Sequence, residues 1–246
     1  MNQSRLLPTA KQGLPLVIAI LLIALTPVSN AAEQAQDAKD AQVNKPLAAR
    51  PTISYKAPLS DDSPDVINTS AQTMEGNATS LQVLAPDHTG LTAQPQPTLY
   101  WNTNTPTAVR FSIAAIEKHG AKPLLQVDIK KAAGIQQLDL GKHGFSLKPE
   151  LSYQWSVSTV LDKNSQSTAT IASGFIERIE PGEGLSSRIK KSQGIKLVDV
   201  YAVEGIWYDA LETISSMIEK SPEDQSLVAI RKSLLEQVGV KIAVKD

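Results

Sequence analysis

The chain has 246 residues, enough for one or two domains once non-globular segments are set aside. Its 24 lysines and arginines balance 25 acidic residues for a formal charge of -1, which argues against a general nucleic-acid or anionic-membrane binder. Cysteine is absent, so disulfides, thiolate zinc sites and a lipidated N-terminal cysteine are excluded and the core alone must hold the fold.

Arg5 and Lys11 precede an apolar run from Leu14 to Leu25, followed by Pro27, Ser29, Ala31 and Ala32. This pattern predicts a secretory signal peptide over residues 1–31, cleaved after Ala31. The run is shorter than the ~20 residues a span needs, so no stable membrane span is expected after cleavage. The expected location is periplasmic or secreted.

Residues 32–79 are mostly Ala, Gln, Asp, Lys, Ser, Thr and Pro, with Ile53, Tyr55 and Val66 scattered at no fixed period. Such a stretch buries too little apolar surface to offset its ordering entropy, so it reads as a flexible low-complexity tether.

From residue 80 to 181 short β-type runs alternate with Pro, Gly and Asn. Strands are predicted at Leu81 to Leu84, Thr98 to Asn102, Ala108 to Glu117, Leu124 to Ile129, Ile135 to Leu140, Leu151 to Leu161 and Thr168 to Ile179. Seven strands at this spacing point to an antiparallel β-sandwich. Val109, Phe111 and Ile113 alternate with Arg110 and Ser112, as do Tyr153, Trp155 and Val157 with Gln154 and Ser156, which marks strands buried on one face. Tyr100 and Trp101 in PTLYW, and Tyr153 and Trp155 in LSYQWSV, resemble the core-crossing aromatics of immunoglobulin and fibronectin type III domains.

Residues 182–246 read as helical. Trp207, Ala210, Leu211, Ile214, Met217 and Ile218 form one stripe closed by Pro222, and Ile195, Val198, Tyr201 and Ala202 form another. A small residue at Gly205 lets a preceding segment cross closely. The offsets of Tyr201, Gly205, Trp207, Ala210, Ile214 and Pro222 resemble a tetratricopeptide helical hairpin. One further helix, carrying Leu227, Ile230, Leu234 and Leu235, ends at Gly239. The expected fold class is therefore α+β, a sandwich followed by a tetratricopeptide-like unit.

The ordered motifs LAPDHTGLT, PTLYW, LSYQWSV, GFIERIE and YAVEGIWYDAL, spread over Leu81 to Val240, are similar to a family of exported bacterial proteins found in cyanobacteria and proteobacteria. That family is classed only as a domain of unknown function, so the resemblance implies layout and export and no activity. Leu161 and Ile230 depart from its pattern, standing where many relatives carry cysteine and tryptophan.

Chemistry-bearing motifs are scarce. His88, His119 and His143 lie in separate loops without metal-ligand spacing, and no GxSxG, Walker or GxGxxG pattern occurs. No catalytic residue, metal or cofactor is expected. Asp87 and His88 are the most suggestive acid–imidazole pair, but neighbours in a Pro- and Gly-bounded turn usually diverge, and Asp87 is expected to cap its own turn. Asp209 is expected to cap or to bridge to the sandwich, and Glu204 to form an ion pair. Tyr208 diverges from Trp207 by about 100° on a helix, so one ring packs in the hairpin and the other meets the sandwich or solvent. The composite expectation is a non-enzymatic interaction or accessory protein with an envelope protein partner. The alternatives are a carbohydrate-binding module, which needs exposed coplanar rings, and a hydrolase with an unfamiliar site.

Overall fold

Strand β3, Thr98–Ala115, is the spine of the structure, because every neighbouring strand position is set by which half of it is paired. The computed structural model describes residues 52–58, 80–116, 122–160 and 169–242. The expected signal peptide and most of the expected tether lie outside the described residues.

Along one edge β3 pairs antiparallel with β4, Pro123–Asp139, from Thr98↔Asp139 to Ala114↔Pro123. The other edge is shared. Its N-terminal part takes β1, Leu81–Val83, and its C-terminal part takes β5, Ser152–Thr159. Strand β6, Ile171–Arg178, pairs antiparallel with β5, and the short β2, Gly90–Thr92, joins β6 in parallel.

Among the described residues these six strands make one curled sheet, so the expected two-sheet sandwich is corrected while the α+β class stands. The error has a physical origin. Asn104, Thr105 and Pro106 read as a turn between two strands, whereas they sit in a bulged stretch between Thr103 and Val109 inside one long strand. Gly134, at φ 82°, pairs with Thr103 at the start of that irregularity. Pro106 is tolerated there because β1 has ended and β5 has not yet begun on the other edge. The four predicted runs on either side of these bulges merge into two strands.

The second layer is helical. Helices α1, Glu183–Lys191, α2, Ile195–Val203, α3, Trp207–Lys220, and α4, Gln225–Glu236, follow the sheet in order. The α4 N-cap is Asp224, whose carboxylate accepts the Ser226 amide at 2.9 Å. Gly205, at φ 74°, forms the α2–α3 corner, a left-handed conformation that costs a residue with a Cβ roughly 1–2 kcal/mol. This corrects the tetratricopeptide reading: Gly205 is a corner residue, and nine-residue α2 is no match for fourteen-residue α3. The first turn of α3 packs instead against the sheet.

Trp207, Tyr208, Ala210, Leu211 and Ile214 of α3 share one core with Phe111, Ile113, Tyr153, Trp155 and Val157 of the strands. Each fully buried aliphatic or aromatic side chain contributes about 1.5–3 kcal/mol, which is what a cysteine-free chain requires.

The structure also places residues 52–58, inside the expected tether, against this core. Ile53 is 3% exposed, a β-branched residue that found a docking surface composition alone does not reveal.

Candidate functional site

The first turn of α3 puts three polar-tipped side chains into the interior, and each is met by a specific group. Trp207 Nε1 donates to the Leu84 carbonyl at 3.0 Å. Trp155 Nε1 donates to the Tyr208 hydroxyl at 2.9 Å, and that hydroxyl donates to the Phe175 carbonyl at 2.8 Å. Burial pushes the Tyr208 phenol far above its ordinary pKa, so it remains a neutral donor. Both rings of the expected Trp207–Tyr208 divergence are fully buried.

Asp209 is the unusual member. It is 0% exposed, and its Oδ2 accepts from Thr92 Oγ1 at 2.7 Å and from the Ala93 amide at 3.1 Å. Oδ1 has no partner among the described residues. Burial raises its pKa to about 7, with the Thr92 and Ala93 hydrogen bonds opposing the rise and the Glu212 charge adding to it. The expected bridge to the β layer is thus present, with the Asp209 carboxylate of α3 accepting from β2 and from the residue after it. Tyr201, buried nearby, is pushed up to about 12 by burial and by the Asp209 and Glu212 charges.

Glu212, one turn further along α3, accepts from Thr98 Oγ1 at 2.9 Å and from the Thr98 amide at 3.3 Å. It borders a cavity of about 470 Å³ between α3 and the β3–β4 surface, together with Tyr100, Gln137, Asp139, His143 and Glu219. Its acids are already engaged: Glu219 accepts from Gln137 Nε2 at 2.9 Å and Asp139 from the Gly141 amide at 2.8 Å. Asp128, also on the wall, is held by Arg110 at 2.6 Å, which keeps its carboxyl below the usual range. Each of these carboxylates thus already holds a neighbouring donor, with His143 on the same wall.

Asp87 and His88 do meet, contrary to expectation: His88 Nδ1 lies 3.1 Å from Asp87 Oδ1. His88 Nε2 in turn lies 2.9 Å from the Tyr55 hydroxyl, which gives an Asp–His–Tyr chain. It is poorly suited to nucleophilic work. Burial, aided by the Asp87 charge, raises the Tyr55 pKa well above its ordinary value and so disfavours the phenolate.

That chain instead fastens residues 52–58. The Tyr55 ring stands edge-on to Trp207 with centroids 5.1 Å apart. The Gln237 side chain at the end of α4 spans the segment's backbone, accepting from the Tyr55 amide at 2.9 Å and donating to the Ile53 carbonyl at 2.9 Å. The Lys56 amide donates to the Ala202 carbonyl at 3.0 Å. A Cβ on Gly205 would come within 2.9 Å of the Lys56 carbonyl oxygen, so the close crossing expected at Gly205 is made by this segment.

Of the other residues singled out by sequence, Tyr100, Trp101, Tyr153 and Trp155 are at most 3% exposed, and Ala210 is fully buried. None of the four rings is available as a flat sugar platform. Pro222 is exposed in the α3–α4 turn, and Glu204 pairs with Arg188. Tyr55, Thr92, Glu212 and Gln237 were not legible. Only Glu212 carried a signal, its position three residues after Asp209 on one helix face.

The fold and this junction define a mixed α+β protein whose curled sheet is closed by a helical layer. The chain belongs to the family described as Domain of Unknown Function (DUF928), whose model matches residues 63–246. No curated protein matches the chain.

Proposed function

We propose that the protein is an exported, non-enzymatic interaction or accessory module of the cell envelope that holds a protein partner. One observation carries the reading: the helical layer grips an extended segment, residues 52–58, through hydrogen bonds between its backbone and the Gln237 side chain and Ala202 carbonyl. Side-chain amides and free carbonyls that read main chain are the means by which extended peptides are recognised. The engaged acids of the α3 cavity and the neutral Tyr55 phenol weigh against a hydrolase, and the burial of Tyr100, Trp101, Tyr153 and Trp155 weighs against a carbohydrate platform. The N-terminal pattern of Arg5, Lys11, the Leu14 to Leu25 run and Ala31 supports export.

Lysine-reactive crosslinking in native cells, followed by mass spectrometry, tests this. Exposed Lys56, Lys196 and Lys232 are expected to yield recurrent links to one envelope protein. Lysines that label fully yet never link to the same second protein would overturn the reading, as would recovery of the chain inside the inner membrane.

A further inference from the structure

The segment 52–58 lies outside residues 63–246, the part matched by the family model, yet it fills a groove built wholly from residues inside that part. The groove has a floor at Trp207, a corner at Gly205, one wall at His88 and a backbone-reading group at Gln237. The occupant is extended: Ile53 and Tyr55 point inward while Ser54 and Lys56 are exposed. Its anchors are an aliphatic side chain in the core, an aromatic hydroxyl against an imidazole, and Pro58 within 3.2 Å of where a Gly205 Cβ would stand.

We infer that this groove is a docking site for an extended segment of a protein partner with the pattern aliphatic-x-Tyr-x-x-Pro, and that residues 52–58 are its built-in occupant, displaced when the partner binds. The inference rests on the interaction reading above and names its surface and ligand chemistry. Recognition through the occupant's main chain leaves Ser54, Lys56 and Ala57 free to vary, so the three anchors set specificity. A covalently attached occupant competes at an effective concentration of order mM. A groove left open about 1% of the time weakens an outside ligand about 100-fold.

The test uses the full chain and a fluorescent synthetic peptide of residues 51–58, PTISYKAP. The doubly substituted chain Ile53→Ser with Tyr55→Ala releases the occupant without touching the groove. It is expected to bind the peptide about 100-fold more tightly than the unaltered chain, and adding Gln237→Ala is expected to remove that binding. A folded double variant that ignores the peptide overturns the proposal. Should the double variant fail to fold, hydrogen exchange on the unaltered chain decides: millimolar peptide must speed exchange of the Tyr55 and Lys56 amides, and unchanged rates overturn the proposal. Concentration-dependent dimers lost on Ile53→Ser would make the occupant a second copy and overturn the separate partner. An envelope protein that crosslinks to the chain but is not displaced by the peptide overturns the groove while leaving the interaction reading intact.

Discussion

Replacing Asp209 with asparagine isolates the one buried carboxyl, among the described residues, that the core does not fully satisfy. In the folded chain its pKa is about 7, against 3.8 for an ordinary aspartate, so the native state holds the proton more tightly than the unfolded state. The associated stability is complete below about pH 4, drains away as pH rises through 7, and is gone above it. Across the whole window the difference amounts to about 4 kcal/mol, and between pH 5 and pH 8 to roughly 2–3 kcal/mol. In Asp209→Asn the amide oxygen can keep the bonds to Thr92 Oγ1 and the Ala93 amide, while the NH2 takes the place of the unpartnered Oδ1. That unsatisfied donor costs about 1–3 kcal/mol at every pH, so the diagnostic quantity is the slope and not the absolute stability. Urea unfolding is readily followed by fluorescence, because Trp101, Trp155 and Trp207 are all 0% exposed. The unaltered chain is expected to lose roughly 2–3 kcal/mol more than the variant between pH 5 and pH 8. Parallel pH profiles for the two chains would refute the claim that a proton resides on Asp209.

Tyr208→Phe strands both the Trp155 Nε1 donor and one bond to the Phe175 carbonyl, and is expected to cost about 2–4 kcal/mol in urea unfolding. Tyr55→Phe removes only the bond to His88 at a half-buried position, so about 1 kcal/mol or less is expected from the same measurement. Gly90→Ala drives a Cβ to within 2.7 Å of the Tyr208 ring and is expected to destabilise by about 1–3 kcal/mol. Gly205→Ala strains the corner and collides with the Lys56 carbonyl oxygen, so faster proteolysis within residues 52–58 is expected ahead of any global unfolding.

How far the residues foretold this arrangement depended on whether the signal was local. The stripe from Trp207 to Ile218 has a 3.6-residue period and became α3, and Asp224 and Gly239 bound α4 as turn chemistry demands. The joining of the strands was not local. Pro106 and Gly134 look the same in a turn as in a bulge, and only the pairing of Thr103 with Gly134 across the sheet decides between them. Three residues, Gly90–Thr92, are too few to display a period, so β2 and the Thr92 contact to Asp209 went unseen. The docking of Ile53 and Tyr55 was invisible for the opposite reason. Its partners, Trp207 and Gln237, lie more than 150 residues away, and a seven-residue strap has no periodicity of its own.

The strap and the buried acid share one helix, and this links the two. Trp207, which carries the Tyr55 ring, stands two residues before Asp209 in the first turn of α3, and that turn is joined to the β layer by the Thr92 and Leu84 contacts. Ionising Asp209 places an uncompensated charge in that turn and weakens its seating, so the strap loses part of its floor. Exchange of the Lys56 amide, held by the Ala202 carbonyl, is therefore expected to accelerate between pH 5 and pH 8 by more than the intrinsic base-catalysed increase. In Asp209→Asn only the intrinsic increase should remain. Equal excess acceleration in both chains would mean that the strap responds to another group, and the coupling through α3 would have to be abandoned even if Asp209 titrates near 7.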